Sequence, residues 1–168
     1  MKLTIFTTGG TIDKVYFDAS SEFEVGESQI AHILREAMVS FDFEVRALMQ
    51  KDSLDMTDAD RARIVHACAR SPEDRIVITH GTDTMVDTAR AVAHGVTGKT
   101  VVLTGAMVPY AFGSSDGLFN LGSALSFAEV LPPGVYIAMN GQHFPWDRVR
   151  KNREAGVFEL TEIAERTD

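Results

Sequence analysis

Cysteine is almost missing from this sequence. Cys68 is the only one among 168 residues, so no disulfide can form within the chain. Thiol scarcity of this kind fits a reducing compartment. Positive charge is also in short supply. Sixteen Lys and Arg stand against 24 Asp and Glu, for a net charge of −8, and no basic stripe gathers on any segment. That balance argues against a nucleic-acid binder. No apolar run approaches transmembrane length, which argues against a membrane partner. Between Lys2 and the polar Thr7-Thr8-Gly9-Gly10 turn lie only Leu3-Thr4-Ile5-Phe6, too few for the apolar centre of a signal peptide, so a cytoplasmic location is expected. The five histidines, His32, His66, His80, His94 and His143, lack metal-ligand spacing. Neither a G-x-G-x-x-G stretch nor a Walker Lys-Ser/Thr is found, which ranks nucleotide binding low. No cofactor or metal is implied. Internal repeats and low-complexity tracts are absent too.

What is present is ordinary for a soluble globular domain: 45% hydrophobic and 24% charged residues in a chain long enough to bury a real core. Lys2–Phe6 reads as a buried first strand. Phe41–Met49 alternates apolar and polar residues, as a half-exposed or edge strand does. Arg75–His80 is a β-branched run suited to a central parallel strand, followed by strands over Lys99–Leu103 and Val135–Met139. Helical spacing marks Ser28–Val39 and the stretch from Thr57 to Arg70, the latter opened by a Thr57/Asp60 start signal. A third helix is expected to open at Gly81-Thr82-Asp83-Thr84 and reach His94, and a fourth starts at Ser115-Asp116-Gly117 and is broken by Pro132-Pro133-Gly134. Strands alternating with helices predict βαβ units: an α/β single-domain fold with a mostly parallel sheet flanked by helices, Rossmann- or flavodoxin-like. Residues 1–168 are read as one domain. Asp13–Glu27 is expected to be an irregular lid whose Tyr16, Phe17 and Phe23 either cover a ligand or anchor the loop, and residues 159–168 a charged tail.

Three strand ends carry the chemistry. Thr11 follows the first strand across Gly9-Gly10, Ser53 and Asp55 follow the second, and Thr82 and Asp83 follow the third. Ligands gather at the carboxyl ends of parallel strands. Taken alone, the Thr-Gly-Gly-Thr stretch is an ordinary strand-to-loop turn; the second motif turns the reading toward a hydroxyl presented to a crevice. Free N–H groups at a helix start favour a carboxylate, and Asp83 is an acceptor suited to an ammonium. Together they would suit an α-amino acid zwitterion, although Asp83 fits equally as a helix cap. His80 reads as support for the turn, Cys68 as an inert core residue, and Arg148–Arg153 as a solvated basic face.

Thr8-Gly9-Gly10-Thr11-Ile12 together with His80-Gly81-Thr82-Asp83-Thr84-Met85 resembles the two signatures of the bacterial-type L-asparaginase/glutaminase family. Lys51-Asp52-Ser53-Leu54-Asp55-Met56, Leu103-Thr104-Gly105-Ala106-Met107, Ser115-Asp116-Gly117 with Asn120, and Met139-Asn140 resemble its intervening blocks in order. The resemblance implies the fold of that family's N-terminal domain and hydrolysis of L-asparagine to L-aspartate and ammonia. It implies Thr11 as nucleophile, Thr82 and Lys151 as a second hydroxyl–amine pair, and Asp83 and Tyr16 as further catalytic residues. Ser53 and Asp83 would hold the substrate's α-carboxylate and α-ammonium, with Gly10, Asp55, Thr82 and Ala106 also lining the substrate site. A homodimer or larger homo-oligomer is implied, with L-asparagine as the small-molecule partner.

The sequence departs from the family pattern in places. Members usually carry a second, smaller C-terminal domain, so the expected likeness is to the short single-domain form. Leu54 stands where many members have a polar residue, and Val108 where an arginine is common. Either Tyr16 or Phe23 aligns with the lid tyrosine. Fewer polar contacts to a longer substrate imply little glutaminase activity. Rival readings are an asparaginase-like amino-acid-binding or partner-dependent amidotransferase module, and a nucleotide-binding domain.

Overall fold

Runs rich in Ile and Val, which bury side chains on both faces of a pleated sheet, set the frame. The computed structural model describes residues 2–161. Its main sheet has six strands: β1 (Lys2–Gly9), β4 (Asp42–Lys51), β5 (Arg75–Thr79), β6 (Thr100–Thr104), β7 (Gly134–Met139) and β8 (Gln142–Pro145), in the spatial order β4-β1-β5-β6-β7-β8. The first five run parallel and β8 returns antiparallel. This confirms the mostly parallel α/β fold. In chain order the parallel strands lie 2-1-3-4-5, the flavodoxin-like order, and its switch point falls between β1 and β5. That is where the Thr11 and Thr82 turns emerge.

Strand alternation divides the core. Ile76 and Ile78 pack with α2 (Asp58–Arg70) and α3 (Met85–Gly95), while Val77 packs with α1 (Ile30–Glu36) and α4 (Gly117–Val130) on the other face. Ile64, Cys68 and Val92 fill the first layer; Ile33, Leu121 and Leu125 fill the second. Burial pushes the Cys68 thiol up to about 12, which fits an inert core residue. The expected Thr57 start is a full capping box with Asp60. No helix among the described residues is long and apolar enough to cross a membrane.

Several expectations change. The segment 13–27 is not irregular: after one 3-10 turn (Thr11–Asp13) it forms a two-stranded hairpin of β2 (Lys14–Phe17) and β3 (Glu22–Val25), in which Tyr16 pairs directly with Phe23. Cross-strand aromatic pairing, unseen in a single-segment reading, supplies the order. Helix α1 is shorter than Ser28–Val39, because Met38 turns left-handed at φ 51° and ends it. Helix α3 begins at Met85, four residues later than Gly81, because Thr84 is its N-cap. Residues 140–160 add β8 and a second hairpin, β9 (Val149–Asn152) with β10 (Val157–Leu160). Of the expected tail at 159–168, Glu159 and Leu160 instead pair with Arg150 and Val149, and 162–168 lie outside the described residues. The β7–β8 turn is Asn140-Gly141, both at positive φ (53° and 80°), a type I′ hairpin turn whose Asn-Gly signal stands in the sequence.

Candidate functional site

The site is assembled through glycines. Gly10 sits at φ 86°, and a Cβ there would fall on the Gly81 backbone. A Cβ on Gly81 would in turn lie 2.6 Å from Ser53 Oγ. Three strand ends thus come into backbone contact, which only residues without side chains permit. The Gly10 N–H donates to Lys51 O at 2.9 Å, and Thr8 Oγ1 donates to Thr79 O at 2.8 Å, tying β1 to both neighbours.

Lys151 reaches this junction from β9. Val149 and Phe158, each 6% exposed, bury the hairpin's inner face in the α2/α3 layer. Phe158 pairs across the hairpin with Lys151 and shares its face. Lys151 Nζ donates to Thr82 Oγ1 and to Asp83 Oδ1, both at 2.8 Å. The second is a charge-assisted bond in a half-buried setting. An ammonium has no lone pair, so Thr82 only accepts from it and keeps its own hydroxyl proton free to donate. Asp83 is therefore not the cap of α3: its carboxylate faces Lys151, and the N-cap, Thr84, donates its hydroxyl to Ser53 O at 2.8 Å.

Ser53 is 1% exposed, and its hydroxyl has no hydrogen-bond partner among the described residues. Ala106 is buried behind Gly105, whose close approach to the His80 carbonyl leaves no room for a side chain. His80 is buried and pushed down to about 4 by that burial. Its Nδ1 lies 2.7 Å from Gly81 O and its Nε2 2.8 Å from Thr88 Oγ1, so a neutral ring braces the turn. Thr11 is partly exposed, and no described residue hydrogen-bonds its hydroxyl. Tyr16 is 52% exposed; its ring meets Phe23 at a tilt of 58° with centroids 5.2 Å apart, and Phe23 meets Phe112 at 59° and 5.2 Å. Asp55 is exposed and lines a recess with Lys14, Phe23, Gln50 and Asp52 rather than joining the Lys151 group. Thr82, Asp83 and Lys151 are thus joined directly, Gly10 and Ser53 abut them through Gly81, and Tyr16 and Asp55 stand apart.

Other contributors carry weaker sequence signals. The Asp116 carboxylate accepts the Met107 and Val108 N–H groups at 3.0 Å, and Asn120 donates to Gly105 O at 2.9 Å while accepting from Asn140 N at 2.9 Å. These bonds brace the loop after β6. Their signal was the Ser115-Asp116-Gly117 block with Asn120. Phe112 had none, since an aromatic in a loop has no local partner to betray it.

A family profile described as "Asparaginase, N-terminal" matches residues 2–163. The L-asparaginase of Thermococcus kodakarensis is 35% identical over 170 residues, covering 94% of this chain and 49% of its own. Its solved structure superposes with a TM-score of 0.82 at 32% identity, over 95% of this chain and 51% of that one. The solved structure of a probable cytoplasmic L-asparaginase from Campylobacter jejuni superposes with a TM-score of 0.77 at 30% identity, over 89% of this chain and 49% of that one. A glutamyl-tRNA(Gln) amidotransferase polypeptide of Thermoplasma acidophilum is 30% identical over 132 residues, covering 76% of this chain and 32% of its own. The chain spans about half or less of the length of these curated relatives.

Proposed function

The chain belongs to the asparaginase family, matching its N-terminal domain across nearly the whole sequence, and from that membership we propose that it hydrolyses L-asparagine to L-aspartate and ammonia. The observation that carries this reading is the Thr82–Lys151–Asp83 group held at the switch point of the sheet, against the Gly10-Thr11 turn.

Thr11 Oγ1 adds to the side-chain amide carbon, and the resulting oxyanion collapses with cleavage of the C–N bond. Ammonia leaves carrying the proton that Thr11 gave up, and a β-acyl ester remains on Thr11. Water then attacks the ester, releasing L-aspartate and restoring the hydroxyl. An unassisted alcohol is a poor nucleophile, so the Thr82–Lys151 pair supplies proton transfer, with Lys151 accepting once it is neutral. Backbone N–H groups near Gly10 and Thr82 stabilise the oxyanion. Ser53 and Asp83 hold the α-carboxylate and α-ammonium. Gly10 and Ala106 line the site, and Tyr16 and Asp55, which stand apart from it in this structure, join it when the hairpin closes over bound substrate.

Low glutaminase activity belongs to the same proposal, supported by apolar Leu54, 65% exposed beside Ser53. So do a homo-oligomer, a single domain over this stretch, and a cytoplasmic setting, the last supported by likeness to the C. jejuni protein. The test is ammonia release by pure protein with L-asparagine, L-glutamine and D-asparagine, beside Thr11→Ala. Asparagine hydrolysis that vanishes in the variant supports the proposal, and equal turnover of both L-amides overturns the selectivity. A second reading, a partner-dependent amidotransferase module, draws on the similarity to the T. acidophilum protein. It expects amide binding without ammonia release until a partner is added.

A further inference from the structure

Asp13 ends the first motif, and the hydrolytic reading gives it no role. It is 1% exposed, and its two side-chain oxygens differ. Oδ1 accepts the Gln29 N–H at 3.1 Å, while Oδ2 is buried with no hydrogen-bond partner among the described residues. A half-satisfied buried carboxyl is rare and costly in its charged form.

The backbone of Asp13 is a junction as well. Its N–H donates to Gly10 O at 3.1 Å, closing the turn that carries Thr11. Its carbonyl accepts the Gly26 N–H at 2.8 Å. Since the hairpin runs from Lys14 to Val25, Asp13 fastens both of its ends, and through Gln29 the start of α1. A recess of about 240 Å³, bordered by Thr7, Gly9, Gly26, Ser28 and Gln50, lies beside it.

The charges on the elements packed around it are turned to other partners or to water. Lys14 pairs with Asp52 at 2.8 Å, Lys51 pairs with Asp60 at 2.7 Å, and Glu24 and Glu27 are exposed. No ion pair reaches Asp13 among the described residues.

We propose that Asp13 is a positioning residue: its backbone ties the root of the hairpin beside Thr11, its carboxyl is sealed into that closed junction with one oxygen unpartnered, and ionisation, which favours water over this burial, loosens the junction. Its effect on turnover rests on the hydrolytic reading. Burial, opposed by the Gln29 N–H and Ser28, raises the carboxyl to about 6. An ionised Asp13 gains more from water than from the closed site, so opening the hairpin root becomes easier as pH rises.

The test is amide hydrogen exchange of residues 14–25 in the full chain, corrected for the intrinsic rate, with β5 amides as the rigid reference. Linkage between a carboxyl near 6 when closed and 3.8 when open makes the opening equilibrium rise about tenfold or more between about pH 5 and about pH 8. Asp13→Asn, uncharged throughout, is expected to show a flat profile, with Asp13→Ser in its place should the Asn variant not fold. In the unaltered chain KM for L-asparagine rises over the same range more than kcat falls, and the variant loses that split. A flat exchange profile in the unaltered chain, or the same rise in the variant, overturns the proposal. Absence of hydrolysis with pH-dependent exchange would remove the hydrolytic reading and leave the Asp13 junction standing. Hydrolysis with flat exchange would do the reverse.

Discussion

Two threonines follow two glycine-bearing turns on neighbouring strands, and the molecule treats them differently. Thr82 is 5% exposed and receives the ammonium of Lys151 at 2.8 Å. Thr11 is partly exposed, and no described residue bonds its hydroxyl. The difference lies in what stands behind each. Lys151 rides on a hairpin rooted in the core by Val149 and Phe158, whereas the hairpin beside Thr11 carries exposed Tyr16, Phe17 and Phe23 and is fastened at its root by Asp13. A proton-handling pair gains from being preorganised by packing. In the proposed mechanism Thr11 is a nucleophile that must admit substrate and then be covered, and such a group gains from a weakly packed neighbour. One half of the site is built for rigidity, the other for access.

The sharpest test of this contrast removes each half in turn. If the proposed roles hold, Thr11→Ala and Lys151→Met are each expected to lower kcat with L-asparagine by about 10³-fold or more, the first by removing the proposed nucleophile and the second the proposed proton transfer. The rigid half should also be coupled to stability. Phe158→Ala, emptying a site 6% exposed beneath Lys151, is expected to cost about 3 kcal/mol in denaturant unfolding and to lower kcat with it. Phe112→Ala, removing a half-exposed contact to Phe23, should cost less than about 1 kcal/mol and act on KM instead. Equal stability losses for the two Phe variants would break the comparison. The junction between the halves is Gly10, where φ 86° and the approach of Gly81 both exclude a side chain; Gly10→Ala is expected to cost about 2 to 4 kcal/mol.

The smallest net effect comes from pH, because the halves carry buried groups of opposite sense. His80 falls to about 4 in the folded protein, below its ordinary 6.5, so protons favour the unfolded state between those values. Its contribution of about 3 kcal/mol is complete above about pH 6.5 and is lost as pH falls through about 4. Asp13, raised to about 6 from 3.8, works in the other direction. The folded state holds its proton better, so about 3 kcal/mol present below about pH 4 is lost as pH rises through about 6. The two slopes nearly cancel. Urea unfolding of Asp13→Asn across this range should expose the His80 slope, with stability rising by about 2 kcal/mol relative to the unaltered chain as pH goes from about 4 to about 6.5.

Much of this was legible in the chain. Apolar runs and their punctuation led to the parallel sheet, because burial on both faces leaves a continuous β-branched signature, as in Ile76-Val77-Ile78. The Thr57/Asp60 capping box is local, and it too was readable. The two hairpins were not, since β2–β3 depends on Tyr16 meeting Phe23 and β9–β10 on Phe158 meeting Lys151, pairings between short segments that show no periodicity alone. Nor was the contact that Asp83 makes, which the spacing left open between cap and site.

Residue types and order, by themselves, determined the α/β class, the family membership and the three strand ends that carry polar groups, since all of these are written in local pattern. Only the tertiary structure decided that Lys151 meets both Thr82 and Asp83, that Gly10 rests on Gly81, and that Asp13 is sealed away from water. Those are contacts between residues distant along the chain, and they exist only after the strands have packed side by side in the order that brings β4, β1 and β5 together.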